Sequence, residues 1–443
     1  MPATRRRLWS PGRTRLWNNS SFLNLWAAQT VSHFGTQITL VALPLAAALT
    51  LDASAGQMGL LAAAGTLPAL VFGLLAGVAI DRVRRRPVMI ATDVVRALVL
   101  ASVPLAWALG VLRSELLFAV AFLNGILTLF FDVAYVAFMP TIVPRDDLVE
   151  GNAKLEGSAS TAQVAGPGLG GILVGVLSAP VALLIDAVSY LASALLLARI
   201  PSDETLPDHP ARGSLRRDVG EGLQVVWSDA RLRAILLSAA TVSLFGYIFL
   251  AVYVLYMLND LGFSATQVGL VFSIGGVGAV AGAVLAGPLS RRLGIGRTII
   301  LGRALFGIFA LLVPLAVAVP RLEAPMVLAA ELLQWLALVI AVVNEISLRQ
   351  TLVPERLLGR ATATFRFIGG GMIPIGSLLG GLLGELIGLR ETLVVGCFGM
   401  LLAGVWVYAS PLRGTCALPE PANAEREVIH RLTGAEATCT DAL

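Results

Sequence analysis

Twelve long apolar runs constrain the fold of this 443-residue chain more than any other feature. A run of about 20 residues, folded as an α-helix, crosses the hydrocarbon core of a bilayer. Only 14% of the residues are charged and 57% are hydrophobic, which excludes an ordinary soluble domain. We therefore predict an all-α membrane protein with twelve transmembrane helices, near residues 22–49, 56–80, 88–110, 115–140, 152–178, 180–200, 232–258, 264–289, 298–319, 325–348, 360–388 and 391–412.

The arginines mark one side of the membrane. They concentrate in the loops at 82–86, 212–233, 291–297 and 349–360. The loops of the opposite side hold only Arg113, Arg321 and Arg390, each close to a glutamate. Arginine-rich loops stay in the cytoplasm, so the pattern predicts a multi-pass protein of the cell membrane with both termini cytoplasmic. The same dispersed arginines explain the net charge of +4, and we expect no nucleic-acid partner.

A repeat with an offset of 210 residues divides the chain into two similar halves. Ser54-Ala-Gly-Gln57 matches Ser264-Ala-Thr-Gln267, and Gly77 falls on Gly287. Parallel halves of this kind place a substrate site between them, near the membrane midplane. The predicted organisation is a cytoplasmic segment at 1–21, six-helix halves at 22–200 and 232–412, a cytoplasmic linker with an amphipathic helix at 201–231, and a disordered cytoplasmic tail at 413–443.

Several stretches resemble the major facilitator superfamily of transporters. The loop at 73–87 resembles its pattern of glycine, three residues, an acid and then basic residues. Gly166-Pro167-Gly-Leu-Gly170-Gly171 resembles the glycine–proline motif in the fifth helix of its drug exporters. Residues 131–153 and 220–232 resemble the branch that contains enterobactin exporters and macrolide efflux pumps. The resemblance covers about residues 20–412 and implies alternating access with proton antiport, although Ala121 replaces an arginine that many proton-coupled exporters carry.

Three ionisable residues in the apolar runs are candidates for proton coupling: Asp132, Glu331 and His33. An ionisable group at membrane depth costs roughly 2.5–3.5 kcal/mol on insertion scales, so each one invites a functional interpretation. Asp132 lies roughly 12 Å inside the cytoplasmic end of its helix and is the first choice. The alternative is a static partner for a basic group. His33 titrates near neutral pH, or is simply hydrogen-bonded within the bundle.

Polar residues at helical spacing on the apolar helices predict the lining of a substrate cavity. One stripe lies on the first helix and another on the fourth, because residues four apart share a face. Gln334 is the repeat counterpart of Asn124. The predicted lining residues are Gln29, His33, Gln37, Asn124, Thr128, Tyr135, Gln334 and Asn344.

The other charges within the helices receive more local interpretations. Glu345 and Arg349 are one turn apart, which predicts an ion pair between them. Asp93, Arg96 and Arg303 lie near cytoplasmic helix ends, where snorkelling or mutual pairing is expected rather than substrate contact. The sequence assigns no role to Asp186 or Glu156.

Gly77, Asp81, Arg82 and Arg85 form the predicted gating loop. A carboxylate at the end of the second helix can accept hydrogen bonds from a neighbouring helix amino terminus, whose partial positive charge attracts it. The resemblance implies that this contact holds one conformation closed; cytoplasmic retention is the alternative explanation of the arginines.

The fifth-helix motif, Gly166, Pro167, Gly170 and Gly171, is predicted first of all to be a close-packing surface. Gly376, Gly380, Gly384 and Gly388 give the eleventh helix a similar surface. For the fifth-helix motif, a role in export direction is implied by the resemblance alone.

No pattern for enzyme chemistry, a metal or a cofactor occurs. The three histidines form no zinc-protease motif, and there is no P-loop. We expect a secondary active transporter, acting as a monomer in the bilayer, that exports a small amphipathic antibiotic, drug or siderophore with protons as the coupling ion. Apolar cavity stripes with few charges suit such a substrate. The alternatives are a lipid or lysolipid transporter, a solute importer of the same fold, and a non-transporting receptor.

Overall fold

The computed structural model describes residues 15–80, 82–201 and 215–414. Within these ranges the regular structure is entirely helical, and twelve spans are long and apolar enough to cross a membrane. The predicted all-α transmembrane fold is therefore confirmed. The helices of the first half are α1 (Ser20–Thr50), α2 (Ala55–Ile80), α3 (Arg85–Ala108), α4 (Ser114–Ile142), α5 (Leu148–Leu177) and α6 (Ala179–Ala198).

A linker helix and seven further helices complete the described chain. They are α7 (Leu215–Ser228), α8 (Ala230–Asn259), α9 (Ala265–Leu293), α10 (Ile295–Ala310), α11 (Leu312–Ala316), α12 (Glu323–Leu352), α13 (Glu355–Ile387) and α14 (Leu389–Tyr408). The apolar run predicted near 298–319 is divided into α10 and α11. The ring of Pro314 would clash with the carbonyl of Ala310, where α10 ends. The predicted amino-terminal segment before residue 15, the linker at 202–214 and the tail from residue 415 lie outside the described residues.

The 210-residue repeat is visible in the helix boundaries. Four helix pairs begin one repeat apart: α1 and α8, α2 and α9, α3 and α10, and α6 and α14. Asn19 and Asp229, also one repeat apart, cap α1 and α8 by accepting hydrogen bonds from backbone N–H groups of the first turn. The packing recurs as well, since α1 lies against α5 and α6 as α8 lies against α13 and α14.

The two halves meet along two seams. The first seam joins α2 to α13, and the second joins α5 to α9. A methyl group on Gly59 would lie 2.7 Å from the Cα atom of Gly381, and one on Gly269 would lie 2.7 Å from the Cα atom of Gly171. Only glycine permits backbones this close. Both contacts lie at the end of the molecule away from the arginine-rich loops.

The seams separate toward the arginine-rich end. On α2, a methyl group on Gly73 or Gly77 would meet no atom within 4 Å, and the same is true of Gly359 on α13. In the second seam, Gly157 on α5 is equally open. The described helices therefore enclose a cleft that is closed at one end and open at the other.

The linker helix α7 packs against the second half. A methyl group on Gly222 would lie 2.6 Å from the carbonyl oxygen of Arg360, and Val225 and Val226 are buried beside α8 and α13. Glu221 forms an ion pair with Arg360 at the start of α13. Leu223 is 42% exposed, whereas Val225 and Val226 are buried. The apolar contacts of this helix are therefore made mainly with the protein.

Candidate functional site

A buried arginine organises the interior of the first half. Arg96 pairs with Asp93 one turn earlier on α3, with 2.5 Å between Nη2 and Oδ1, and both side chains are fully buried. The guanidinium lies over the rings of Phe131 and Tyr190, 4.5 and 4.2 Å from their centroids. This stacking stabilises a cation that has been removed from water. Of the two alternatives raised by the sequence, the structure shows mutual pairing.

Asp132 lies beside this arginine but is exposed. It precedes the end of α4 at Ile142 by ten residues, which places it about 15 Å from that end. Its carboxylate is within electrostatic reach of Arg96, and it makes no hydrogen bond or ion pair among the described residues. On the same face of α4, Asn124, Thr128 and Tyr135 are half-buried. Arg96 donates to the Thr128 hydroxyl at 3.4 Å, so this face of α4 is turned toward α3 and the interior of the first half.

Two further elements bring ionisable groups to the same place. Glu156, eight residues into α5, is exposed and lies within electrostatic reach of His33 on α1 and Tyr135 on α4. His33, Arg96, Asp132, Tyr135 and Glu156 together are called the polar cluster. It joins four helices of one half. The sequence left Glu156 unassigned because an acid this near a helix end has no distinguishing pattern.

A second buried acid ties α6 to α1. Asp186 accepts a hydrogen bond from Thr39 at 2.5 Å and one from Ser189 at 2.9 Å. A methyl group on Gly35 would overlap both the Asp186 carboxylate and the Ser189 hydroxyl, so glycine is required at this point of α1. The sequence could have indicated that Asp186 has hydrogen-bond partners, because an acid within an apolar run needs them.

The two buried glutamates of the second half, Glu331 and Glu345, both have fixed partners. Glu331 accepts hydrogen bonds from Tyr253 at 3.1 Å, Gln334 at 2.5 Å and Trp335 at 2.8 Å, and only 2% of it is exposed. All three donors are neutral, so none of them supplies a positive charge to balance this carboxyl group.

Glu345 forms a bidentate pair with Arg303, at 2.8 and 2.6 Å. The predicted pairing of Glu345 with Arg349 is therefore wrong. Arg349 instead lies over the Phe365 ring, 4.7 Å from its centroid. A partner on a neighbouring helix is closer here than the residue one turn away.

The remaining residues predicted to line the cavity have different surroundings. Gln29 and Asn344 are buried, and Asn344 donates to the carbonyl of Ile340 on its own helix. Gln334 is occupied by Glu331. Gln37 is half-buried and packs against α5, where a methyl group on Gly166 would overlap its side chain. Their role as lining residues stays a prediction.

The gating loop is only partly described. Asp81 lies outside the described residues, whereas Arg82 is exposed and Gly77 borders open space. Arg85 begins α3.

The adjacent Arg86 donates to the carbonyls of Leu197 and Ala198 at the end of α6, at 2.9 and 2.5 Å. The loop is thereby fastened to α6.

The fifth-helix motif packs α5 on two helices at once. A methyl group on Gly170 would lie 3.1 Å from the Cα atom of Ile38 on α1. Gly171 and the Pro167 carbonyl face Gly269 on α9. The N–H of Gly168 also donates to the Ser273 hydroxyl of α9 at 2.7 Å. The motif is thus part of the second seam.

Comparison with known proteins gives the family. The family model described as a transmembrane secretion effector matches residues 10–431. The multidrug efflux pump Tap of Mycolicibacterium fortuitum is 28% identical over 396 residues, which are 86% of this chain and 93% of that protein. Macrolide efflux protein A of Streptococcus pyogenes is 26% identical over 276 residues, 60% of this chain and 65% of that protein.

The solved structures show the same fold. A bacterial homologue of the iron transporter ferroportin, in an inward-facing state, superposes with a TM-score of 0.72 at 19% identity, covering 88% of this chain and 98% of that one. The resemblance that the sequence motifs indicated is confirmed. The chain belongs to the transmembrane secretion effector family of the major facilitator superfamily, and it is a membrane transporter.

Proposed function

We propose that the protein exports small amphipathic drugs, antibiotics among them, across the cytoplasmic membrane in exchange for protons. The observation that carries the proposal is an exposed carboxylate, Asp132, at membrane depth beside a cleft open only at the arginine-rich end. The names of the relatives support export, since Tap and macrolide efflux protein A are both efflux proteins.

Alternating access accounts for the two seams. The positive-inside rule assigns the arginine-rich end to the cytoplasm, with both termini on that side. The cleft is then open to the cytoplasm, where an exporter loads its substrate. Rocking of the halves would close the cytoplasmic end and separate the glycine contacts at the other end. In this cycle the loop of Gly77, Asp81, Arg82 and Arg85 gates the cytoplasmic end.

Asp132 is the proposed proton carrier because it meets both requirements of that role. It is exposed, so water in the cleft can exchange protons with it, and it lies next to the permanently charged Arg96, which Asp93 holds in place. A proton and a substrate that compete for the polar cluster would give antiport. Glu331 is enclosed by three hydrogen-bond donors, and His33 interacts with the nearby charge of Glu156. We therefore rank both behind Asp132 as candidates for the proton carrier.

Proteoliposomes containing the purified protein provide the test. A panel of macrolides, other amphipathic drugs, siderophores and lysolipids is added, and proton movement is followed in the wild type and in Asp132→Asn. Asp146→Asn is the matched control, because Asp146 is exposed on the loop before α5. We expect substrate-dependent proton flux in the wild type and in the control, and none in Asp132→Asn.

Substrate exchange without a proton gradient separates coupling from binding. Asp132→Asn should still exchange labelled substrate for unlabelled substrate. Normal gradient-driven transport in Asp132→Asn would exclude it as the proton carrier. Flux with lysolipids alone would favour the lipid transporter, and binding without any exchange would favour a receptor.

A further inference from the structure

The two seams differ in one charged contact at the end of the molecule away from the arginine-rich loops, here called the outer end. In the first seam, Oε1 of Glu385 on α13 accepts a hydrogen bond from the Ser54 hydroxyl at 2.5 Å and one from the Gly56 N–H at 3.1 Å. Ser54 immediately precedes α2 and Gly56 is its second residue, at a helix end whose unpaired N–H groups carry a partial positive charge. A carboxylate of the second half is therefore bound to a helix amino terminus of the first half.

The local sequence is fitted to this contact. A methyl group on Gly56 would lie 2.6 Å from Oε1 of Glu385, so glycine leaves the space that the carboxylate occupies. The Ser54 hydroxyl accepts from the Gln57 N–H at 3.3 Å while it donates to Glu385. One hydroxyl thus caps α2 and joins the two halves.

The second seam repeats the backbone contact without the charge. One repeat after Ser54 and Gly56 stand Ser264 and Thr266, and one repeat before Glu385 stands Gly175. The Ser264 hydroxyl donates to Gln267 of its own helix at 3.1 Å, not across the seam. The side chain that crosses this seam here is Thr266, whose hydroxyl reaches the Gly171 carbonyl at 3.4 Å.

We propose that Glu385 is a latch that holds the first seam shut at the outer end while the cleft is open to the cytoplasm. Releasing its carboxylate from Ser54 and Gly56 is the step that lets the outer end open. Glu385 thereby sets the ratio of inward-open to outward-open molecules, and the first seam controls opening more than the second. The proposal rests on the alternating-access cycle of the proposed function.

Access to a buried position behind the latch provides the test. Ser377 on α13 is buried in the first seam, and its hydroxyl donates to Ile373 of the same helix. Ser377→Cys is introduced after the native cysteines Cys397, Cys416 and Cys439 have been replaced. The rate of reaction with a membrane-impermeant maleimide added from outside reports outward opening.

Glu385→Ala should increase the labelling rate about threefold to tenfold, as expected for loss of hydrogen bonds to a solvent-exposed charge. Ser54→Ala, which removes one donor, should give a smaller increase and serves if Glu385→Ala does not fold. Glu115→Gln is the matched control: Glu115 is exposed at the same end, in the first turn of α4 and in neither seam.

Equal labelling rates in Glu385→Ala, Ser54→Ala and Glu115→Gln would overturn the latch. This failure is distinct from failure of the proposed function. Faster labelling in a protein that transports no compound of the panel would support the latch and count against drug export. Unchanged labelling in a protein that transports would retain drug export and reject the latch.

Discussion

The two halves share a 210-residue repeat, yet they hold their interior charges differently. In the first half, Asp132 is exposed near the buried Arg96 and Glu156 is exposed near His33 and Tyr135, and neither acid has a fixed partner among the described residues. In the second half, Glu345 is locked to Arg303 and Glu331 is enclosed by three donors. The position one repeat after Asp132 is Val342.

This difference indicates a division of labour between the halves. Exposed acids can change protonation state as water enters the cleft, whereas enclosed acids stabilise one packing arrangement. In the proposed antiport cycle, the first half would carry the proton chemistry and the second half would be its rigid counterpart. Each of the following predictions tests this contrast.

The largest expected effect is the loss of stability that follows from breaking the Arg303–Glu345 pair. Arg303→Leu leaves Glu345 buried without its cation, which should lower the free energy of unfolding by about 3–5 kcal/mol. Adding Glu345→Leu should restore stability, because two packed leucines replace the pair. Unfolding in detergent, followed by tryptophan fluorescence, measures both. A double variant as unstable as the single variant would show that the pair itself is needed.

The two buried pairs should differ in their effect on transport. The double variant Arg303→Leu with Glu345→Leu should keep substrate-dependent proton flux. Asp93→Leu with Arg96→Leu should reduce that flux at least about tenfold, equivalent to roughly 1.4 kcal/mol, because Asp132 loses its neighbouring cation. Flux measured in proteoliposomes of matched protein content makes the comparison. Equal losses in the two double variants would refute the division of labour.

Glu331→Gln should affect stability and leave proton coupling intact. The amide retains one acceptor oxygen for three donors, so we expect a loss of about 1–2 kcal/mol in unfolding free energy. Proton flux per molecule of folded protein should match the wild type. Loss of flux in this variant would instead transfer the proton role from Asp132 to the second half.

The smallest effect concerns the caps of α1 and α8. Burial opposes ionisation of Asp229, but the hydrogen bonds and charge of Arg231 outweigh it and hold the pKa of Asp229 below its usual value. The ionised cap therefore stabilises the protein above about pH 4, and this contribution is lost as the pH falls through the lower folded-state pKa.

Asp229→Asn gives α8 the kind of cap that Asn19 provides in α1. At neutral pH the variant should lose no more than about 1 kcal/mol. Its unfolding midpoint should approach that of the wild type as the pH is lowered from neutral to below the usual aspartate pKa. Asn19→Asp is the matched exchange in the first half. A constant difference between Asp229→Asn and the wild type at both pH values would exclude ionisation of Asp229 as the cause.

The sequence predicted the helices better than their contacts. Apolar length and the repeat give the twelve spans, because both are properties of consecutive residues. Asp132 was identifiable because an acid within an apolar run is unusual. The partner of Glu345 was not, since helical spacing reveals Arg349 on the same helix and says nothing about Arg303 on the next one. Glu385 was missed for the same reason, because its partners lie on α2 in the other half.

The glycine contacts of the seams have an entropic consequence. A glycine has no side-chain rotamers to immobilise, so Gly59 and Gly381 can meet and separate without the ordering cost that longer side chains incur. Contact between such surfaces is close but carries no interlocking side chains that must reorganise first. A glycine joint of this kind can form and break with a small free-energy change, so the few side chains that do cross a seam, such as Glu385, have a large influence on which state is populated.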